Sequence, residues 1–131
     1  MRTACQEDAD QIFLLDVQLF GDHSLMPGII GRVIGRGCSQ VVEQDQQVVG
    51  YTLIDDQQGI PDLLRLGVKA ALQGQGVARR LLGSALQRFP DMILTVEPDN
   101  IRALSLYRNH GFRSVARYRT GQHVMRVTSC A

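Results

Sequence analysis

The sequence predicts a mixed α+β domain, with a mostly antiparallel central sheet and helices on both faces. Three observations carry that reading. Ser39 to Glu43 and Val48 to Ile54 are apolar, β-branched runs around the polar Gln44-Asp45-Gln46-Gln47, the pattern of a hairpin. Leu63 to Lys69, Gly76 to Phe89 and Met92 to Val96 read as strand, helix and strand within about 35 residues. That is a βαβ unit, whose two strands run parallel. Phe112 to Tyr118 and His123 to Val127 form a closing hairpin around Gly121.

The elements follow in order. Asp8 to Phe20 has helical spacing, with Ile12, Leu15 and Leu19 on one face and Ala9 and Phe13 beside them. Gly21 and the turn-like Asp22-His23-Ser24 stop it. Pro27 to Ile34 reads either as a short helix with Pro27 in its first turn or as a mobile loop near a substrate opening. Gly28, Gly31, Gly35 and Gly37 leave both open. Asp55 to Pro61 is a polar turn, and if it is tight the strand after it runs antiparallel to the one before. On Gly76 to Phe89, Val77, Leu81, Leu82, Ala85, Leu86 and Phe89 form a wide apolar stripe that Pro90 ends. Met92 to Val96 is continuously apolar, as a strand covered on both faces should be. Asp99 can cap a helix over Asn100 to Asn109, and Gly111 can close it.

At 131 residues the chain reads as one domain, 1–131. A hydrophobic fraction of 44% suffices for a core, and a net charge of +1 gives no general pull toward nucleic acid or anionic lipid. Arg113, Arg117, Arg119 and Arg126 gather late, as solvated strand faces or a substrate-steering patch. Cys5, Cys38 and Cys130 are far apart and in no CxxC pair, which fits reduced thiols in a cytoplasm and no metal site. The longest early apolar run is Ile12-Phe13-Leu14-Leu15, so neither a signal peptide nor a membrane span is expected.

The chemistry centres on Gln73-Gly74-Gln75-Gly76-Val77-Ala78, where a strand passes through a glycine turn into a helix. Such a junction presents unpaired N–H groups at the positive end of a helix dipole, an anion site suited to phosphate. The same glycines can also serve a tight turn and nothing more. No Gly-Lys-[Ser/Thr] follows, which excludes a P-loop. Arg79 occupies the third glycine position of a dinucleotide fingerprint, which excludes that reading too. A second cluster lies beyond the βαβ unit, where Asn100 and Tyr107 are seven residues apart and share nearly one helix face.

Together the two clusters resemble the GNAT superfamily of acetyl-CoA-dependent N-acetyltransferases. Gln73, Gly76 and Ala78 meet its [Gln/Arg]-x-x-Gly-x-[Gly/Ala] pattern, and Asn100, Ala103, Tyr107, Gly111 and Phe112 meet its Asn-x-x-Ala-x-x-x-Tyr-x-x-x-Gly-Phe pattern. Leu66-Gly67-Val68 looks like the family's pantetheine-binding strand. Leu19-Phe20-Gly21-Asp22-His23-Ser24 resembles the first-helix exit of the branch that acetylates protein N-termini, including the ribosomal-protein alanine acetyltransferases.

The resemblance implies the acyl-CoA N-acyltransferase fold, in which a parallel strand pair splays apart to admit the pantetheine arm. It implies acetyl-CoA as cosubstrate and a primary amine as acceptor; monomer and homodimer both stay open. Gly74, Gln75, Gly76, Val77, Ala78 and Arg79, with Gln73, would hold the pyrophosphate. Leu66, Gly67 and Val68 would pair with the pantetheine amides, and the Val68 N–H would polarise the thioester carbonyl. Asn100 would bind the pantetheine chain, and Tyr107 stands at the general-acid position. The general base departs from the pattern. Thr95 occupies the place of the branch's glutamate, five residues before Asn100. Glu97 is the next candidate, with His23, a water relay or no dedicated base as the others. A non-catalytic acyl-CoA-binding domain of the same fold is the competing class.

Overall fold

The computed structural model describes residues 1–56 and 59–128. The sheet has seven strands: β1 (Arg2–Thr3), β2 (Gln40–Gln44), β3 (Gln47–Asp55), β4 (Asp62–Val68), β5 (Met92–Val96), β6 (Arg113–Arg117) and β7 (His123–Val127). The helices are α1 (Ala9–Phe20), α2 (Pro27–Ile34), α3 (Val77–Arg88) and α4 (Ile101–Asn109). Strand order is β1-β2-β3-β4-β5-β7-β6. The β4–β5 pair is parallel and the other pairs are antiparallel. The mixed sheet, both hairpins and the βαβ unit therefore stand as the sequence predicts.

The differences are local. Arg2–Thr3 adds a short edge strand, too short to leave a pattern in sequence. Pro27–Ile34 is a helix with Pro27 in its first turn, and its Ile30, Val33 and Ile34 are buried. Helix α4 is capped by Asn100, not Asp99: the Asn100 Oδ1 accepts from the Ala103 N–H at 3.2 Å. Part of the polar turn expected at 55–61, and Cys130, lie outside the described residues.

Alternation along the strands fills a core on each face of the sheet, with a smaller cluster of Val68, Val77 and Leu81 beside them. On one face Ile12, Leu15, Ile30 and Val33 of α1 and α2 pack on Val41, Tyr51 and Leu53. On the other, Leu82 and Ala85 of α3 and Leu104 of α4 pack on Ile54, Leu63, Leu94 and Met125. Two glycines make close packing possible. A Cβ at Gly50 would come 3.1 Å from Val77 and 3.2 Å from Leu81, so Gly50 lets α3 lie against β3. A Cβ at Gly67 would lie 2.5 to 2.7 Å from three atoms of the Tyr51 phenol. Gly67 thus has a requirement of its own, the accommodation of Tyr51.

Tyr51 belongs to a buried polar cluster. Its hydroxyl donates to Asp16 Oδ1 at 2.5 Å, the Leu25 N–H donates to Oδ2 at 2.7 Å, and Arg65 Nε donates to Oδ1 at 3.0 Å. Burial, with the Asp16 carboxylate beside it, raises the Tyr51 pKa well above the ordinary phenol value. These bonds tie α1, the 21–25 loop, β3 and β4 together.

A second ion pair fixes the N-terminal edge. Arg2 Nη1 and Nη2 each donate to Asp8 at 2.8 Å, and the Cys5 N–H adds a bond of 2.8 Å. The Arg2 guanidinium, more than any other group, lowers the Asp8 pKa from 3.8 to about 2. The folded carboxyl titrates below the unfolded one, so its stabilisation is present above about pH 4 and disappears as pH falls through 2. Thermal unfolding across that window should show stability falling with pH. Asp8→Asn should remove this part of the fall; a slope unchanged in the variant would refute the assignment.

Candidate active site

The site begins with an interrupted sheet. Strands β4 and β5 pair at only two positions, Asp62 with Ile93 and Leu63 with Leu94, and then part. A register shift in the β3–β4 ladder sets Leu53 opposite Arg65 and Ile54 opposite Leu63, which leaves Leu64 as the extra residue of a bulge. Beyond it β4 follows β3 while β5 departs.

That leaves one edge of β4 facing a gap. The Lys69 N–H donates to Val49 O on β3 at 2.8 Å. In an antiparallel ladder successive residues turn their polar groups to opposite sides. Gly67 therefore points to β3, and Leu66 and Val68 point to the gap. The Val68 carbonyl accepts from Gln73 Nε2 at 3.0 Å, on that second side.

After β4 the chain makes a single helical turn at Ala70–Leu72 and enters the glycine turn. Gly74 and Gly76 have φ of +84° and +86°, the left-handed region that disfavours side chains. Gly76 is the N-cap residue of α3, with no side-chain cap. The first N–H groups of α3, from Val77, Ala78 and Arg79, consequently face outward without an intrahelical acceptor. A cavity of 270 Å³ lies against this turn, lined by Gly74, Gly76, Arg79 and Arg102 among others.

The next cavity, 280 Å³, runs along the parted strands and shares Val68, Gln73, Ala78, Arg102 and Leu106 with the first. Its other walls include Leu66, Gly67, Asn100 and Tyr107. A third space, 350 Å³, shares Phe20, Leu66, Asn100, Ala103 and Tyr107 with the second. It opens among His23, Arg65, Thr95, Glu97 and Gln122. The three form one adjoining series, from the glycine turn past the parted strands to the end of β5.

Tyr107 stands where the second and third spaces meet. It is held from below: Gly111, at φ +95°, reverses the chain after α4, and the Phe112 N–H donates to Tyr107 O at 3.0 Å. The Phe112 ring then packs on the phenol, with centroids 5.6 Å apart and planes tilted by 60°. Tyr107 is 8% exposed, and burial pushes its pKa up to about 12. The phenol stays protonated at any ordinary pH.

Glu97 follows the last residue of β5 and accepts from Gln122 Nε2 at 2.9 Å. Thr95 and Glu97 line the same space, as residues two apart along an extended chain should. No group of three or more His, Cys, Asp or Glu side chains that could hold a metal occurs among the described residues. No helix among them is long and apolar enough to cross a membrane.

A model of the acetyltransferase (GNAT) family matches residues 15–112. The chain belongs to that family. Among curated relatives, the N-alpha-acetyltransferase RimI of Mycobacterium tuberculosis is 34% identical over 117 residues, covering 82% of this chain and 74% of that protein. The mycothiol acetyltransferase of Jonesia denitrificans is 38% identical over 84 residues, 59% of this chain. This chain spans only 27% of that relative. Among solved structures, Arabidopsis thaliana Naa50 in complex with the bisubstrate analogue CoA-Ac-MVNAL superposes with a TM-score of 0.82 at 18% identity, covering 96% of this chain and 95% of that one.

In this GNAT domain the site residues singled out by sequence border this adjoining series of spaces, except Gln75 and Val77, which line none of the three. Two residues that line these spaces, Arg102 and Arg65, carried no readable signal. Arg102 was a variable position of the motif, yet its Nη1 donates to Gln73 Oε1 at 2.9 Å and its side chain borders two of the cavities. Gln73 thus bridges the end of β4 and the start of α4. Phe20 and Arg65, from α1 and β4, meet in the third space at a separation in sequence that no local pattern discloses.

Proposed function

We propose that this chain transfers an acetyl group from acetyl-CoA to a primary amine by direct attack. The observation that carries this is the series of spaces from the glycine turn, past the gap edge of β4, to Tyr107 and Glu97. The residues fit the donor. Outward N–H groups at the start of α3, with Arg79 and Arg102 beside them, suit a pyrophosphate. The gap edge of Leu66 and Val68 suits the amides of a pantetheine arm, and the Asn100 amide nitrogen remains available beside it while its oxygen caps α4.

Bound acetyl-CoA supplies the activated acyl group as a thioester. The Val68 N–H polarises the carbonyl under attack. The Tyr107 O–H gives its proton to the departing thiolate. Glu97, directly or through water, takes the proton of the attacking amine. That amine must be neutral, which is easier for an α-amino group, pKa ~7.7–8.0, than for a lysine at ~10.4. Similarity to RimI, an N-alpha-acetyltransferase by name, supports the α-amino group as acceptor. Dispersed cysteines favour a reducing cytoplasm, and the domain is taken to work as a monomer or homodimer.

Calorimetry with acetyl-CoA tests the donor site. Wild type should bind, and Gly76→Glu should lose at least ~10-fold in affinity through strain and like charge at the turn. Thermal unfolding of the variant controls for folding. No binding by wild type would sink the reading, and equal binding by a folded variant would move the anion elsewhere.

A further inference from the structure

The acceptor end of the site holds a guanidinium that these roles leave unused. Arg65 follows the bulged Leu64 and lines the 350 Å³ space with His23, Glu97 and Tyr107. Its Nε donates to Asp16 Oδ1 at 3.0 Å, and its Nη2 donates to the His23 carbonyl. Its Cζ lies over the Phe20 ring, 4.1 Å from the centroid. A fully buried carboxylate, a backbone carbonyl and an aromatic face thus fix the side chain. Among the described residues Nη1 has no hydrogen-bond partner, and the side chain keeps 17% exposure. Arginine carries five N–H donors, of which two are engaged here.

We propose that Arg65 is a specificity-determining residue whose Nη1 donates to a carbonyl oxygen adjacent to the acceptor amine. The inference rests on the acetyl-transfer reading and narrows it. The third space offers two unlike groups, the Glu97 carboxylate for an amine and the Arg65 guanidinium for an oxygen acceptor. The first residue of a peptide presents both, an α-amino group and, one carbon away, a carbonyl. A lysine side chain or a polyamine presents the amine with methylenes only and leaves the guanidinium without its acceptor. Because Asp16, His23 and Phe20 already hold the fork, little ordering remains to oppose that hydrogen bond.

The test compares alaninamide with the amine in which an isopropyl group replaces its carboxamide, at equal concentrations of neutral amine. Wild type should favour alaninamide in kcat/KM by on the order of 10-fold or more, the scale of a charge-assisted hydrogen bond. Removing Arg65 alone would leave Asp16 buried without its cation, so the informative variant is Asp16→Asn/Arg65→Met. Its Asn oxygen still accepts from Leu25, and Tyr51 can accept from the amide nitrogen. This variant should bring the ratio near one through a higher KM for alaninamide, with the isopropyl amine and acetyl-CoA affinity unchanged. A wild-type ratio near one would overturn the proposal. So would a variant in which both amines decline alike, the mark of a merely structural role. A wild type that binds acetyl-CoA and acetylates neither amine would defeat the acetyl-transfer reading instead. Calorimetry of a free-amino tetrapeptide would then decide on Arg65: affinity at least ~10-fold weaker in the variant sustains it, and unchanged affinity removes it.

Discussion

Tyr107→Phe is expected to lower kcat by on the order of 10²-fold or more, with acetyl-CoA affinity nearly unchanged. The substitution removes one oxygen and keeps the ring that packs on Phe112 at 5.6 Å. The helix that carries it, its Asn100 cap and its Gly111 exit are untouched. Stability should therefore move little, and the deficit should appear in the chemical step. Thiol release under saturating donor and amine measures it directly; an undiminished rate would take the acid role away from Tyr107. The pH profile gives a second check. With its pKa pushed up to about 12, Tyr107 keeps its proton through the assay range, so it contributes no alkaline decline below about pH 11. The rise of rate with pH then belongs to deprotonation of the amine or its base, and should persist in the Phe variant at lower amplitude.

Asp16→Ala should be the most damaging substitution to the fold, at about 3–5 kcal/mol, or roughly 10–20 °C in Tm. The side chain is fully buried and receives Tyr51, Leu25 and Arg65. Alanine leaves the phenol and the Leu25 N–H without an acceptor and strands a guanidinium that is only 17% exposed. The loss exceeds what the pair contributes relative to an apolar equivalent, since much of it is the cost of an unpaired buried charge. Thermal or denaturant unfolding checks the figure. A loss below ~1 kcal/mol would mean that water replaces the carboxylate, and that the cluster is less closed than its burial implies.

Much of this molecule was legible in its sequence, and the reasons are physical. Periodicity exposed α1 and α3 because one face of each is buried against the sheet. The βαβ unit could be read from a glycine turn between two apolar strands, since handedness and length leave few other arrangements. The glycine turn at the start of α3 was legible because its backbone geometry needs glycine at defined places. The lining of the third space was less so. Glu97 was a candidate from its place in the chain, but only the completed sheet brings it to one cavity with Phe20 of α1 and Arg65 of β4. Gly67 shows the other limit: its motif position predicted proximity to a ligand, whereas its missing side chain is demanded by Tyr51 on the neighbouring strand. Asn100 could be placed at the start of α4 beside a strand end from its place in the chain, yet the capping of that helix by its side-chain oxygen required the fold.

The short ladder between β4 and β5 makes the sheet two leaves joined at one end. One leaf is β1 to β4, and the other is β5 to β7. Where they part, no backbone bond between strands sets their separation, and side-chain packing of α3 and α4 must do so. Such a construction behaves as a clasp. The width of its mouth is its softest dimension, while each leaf stays stiff along its own ladders. A long thin molecule lying in the mouth touches both leaves at once. The donor would then act as a missing rung, and the protein would be most completely a single sheet while its substrate is in place.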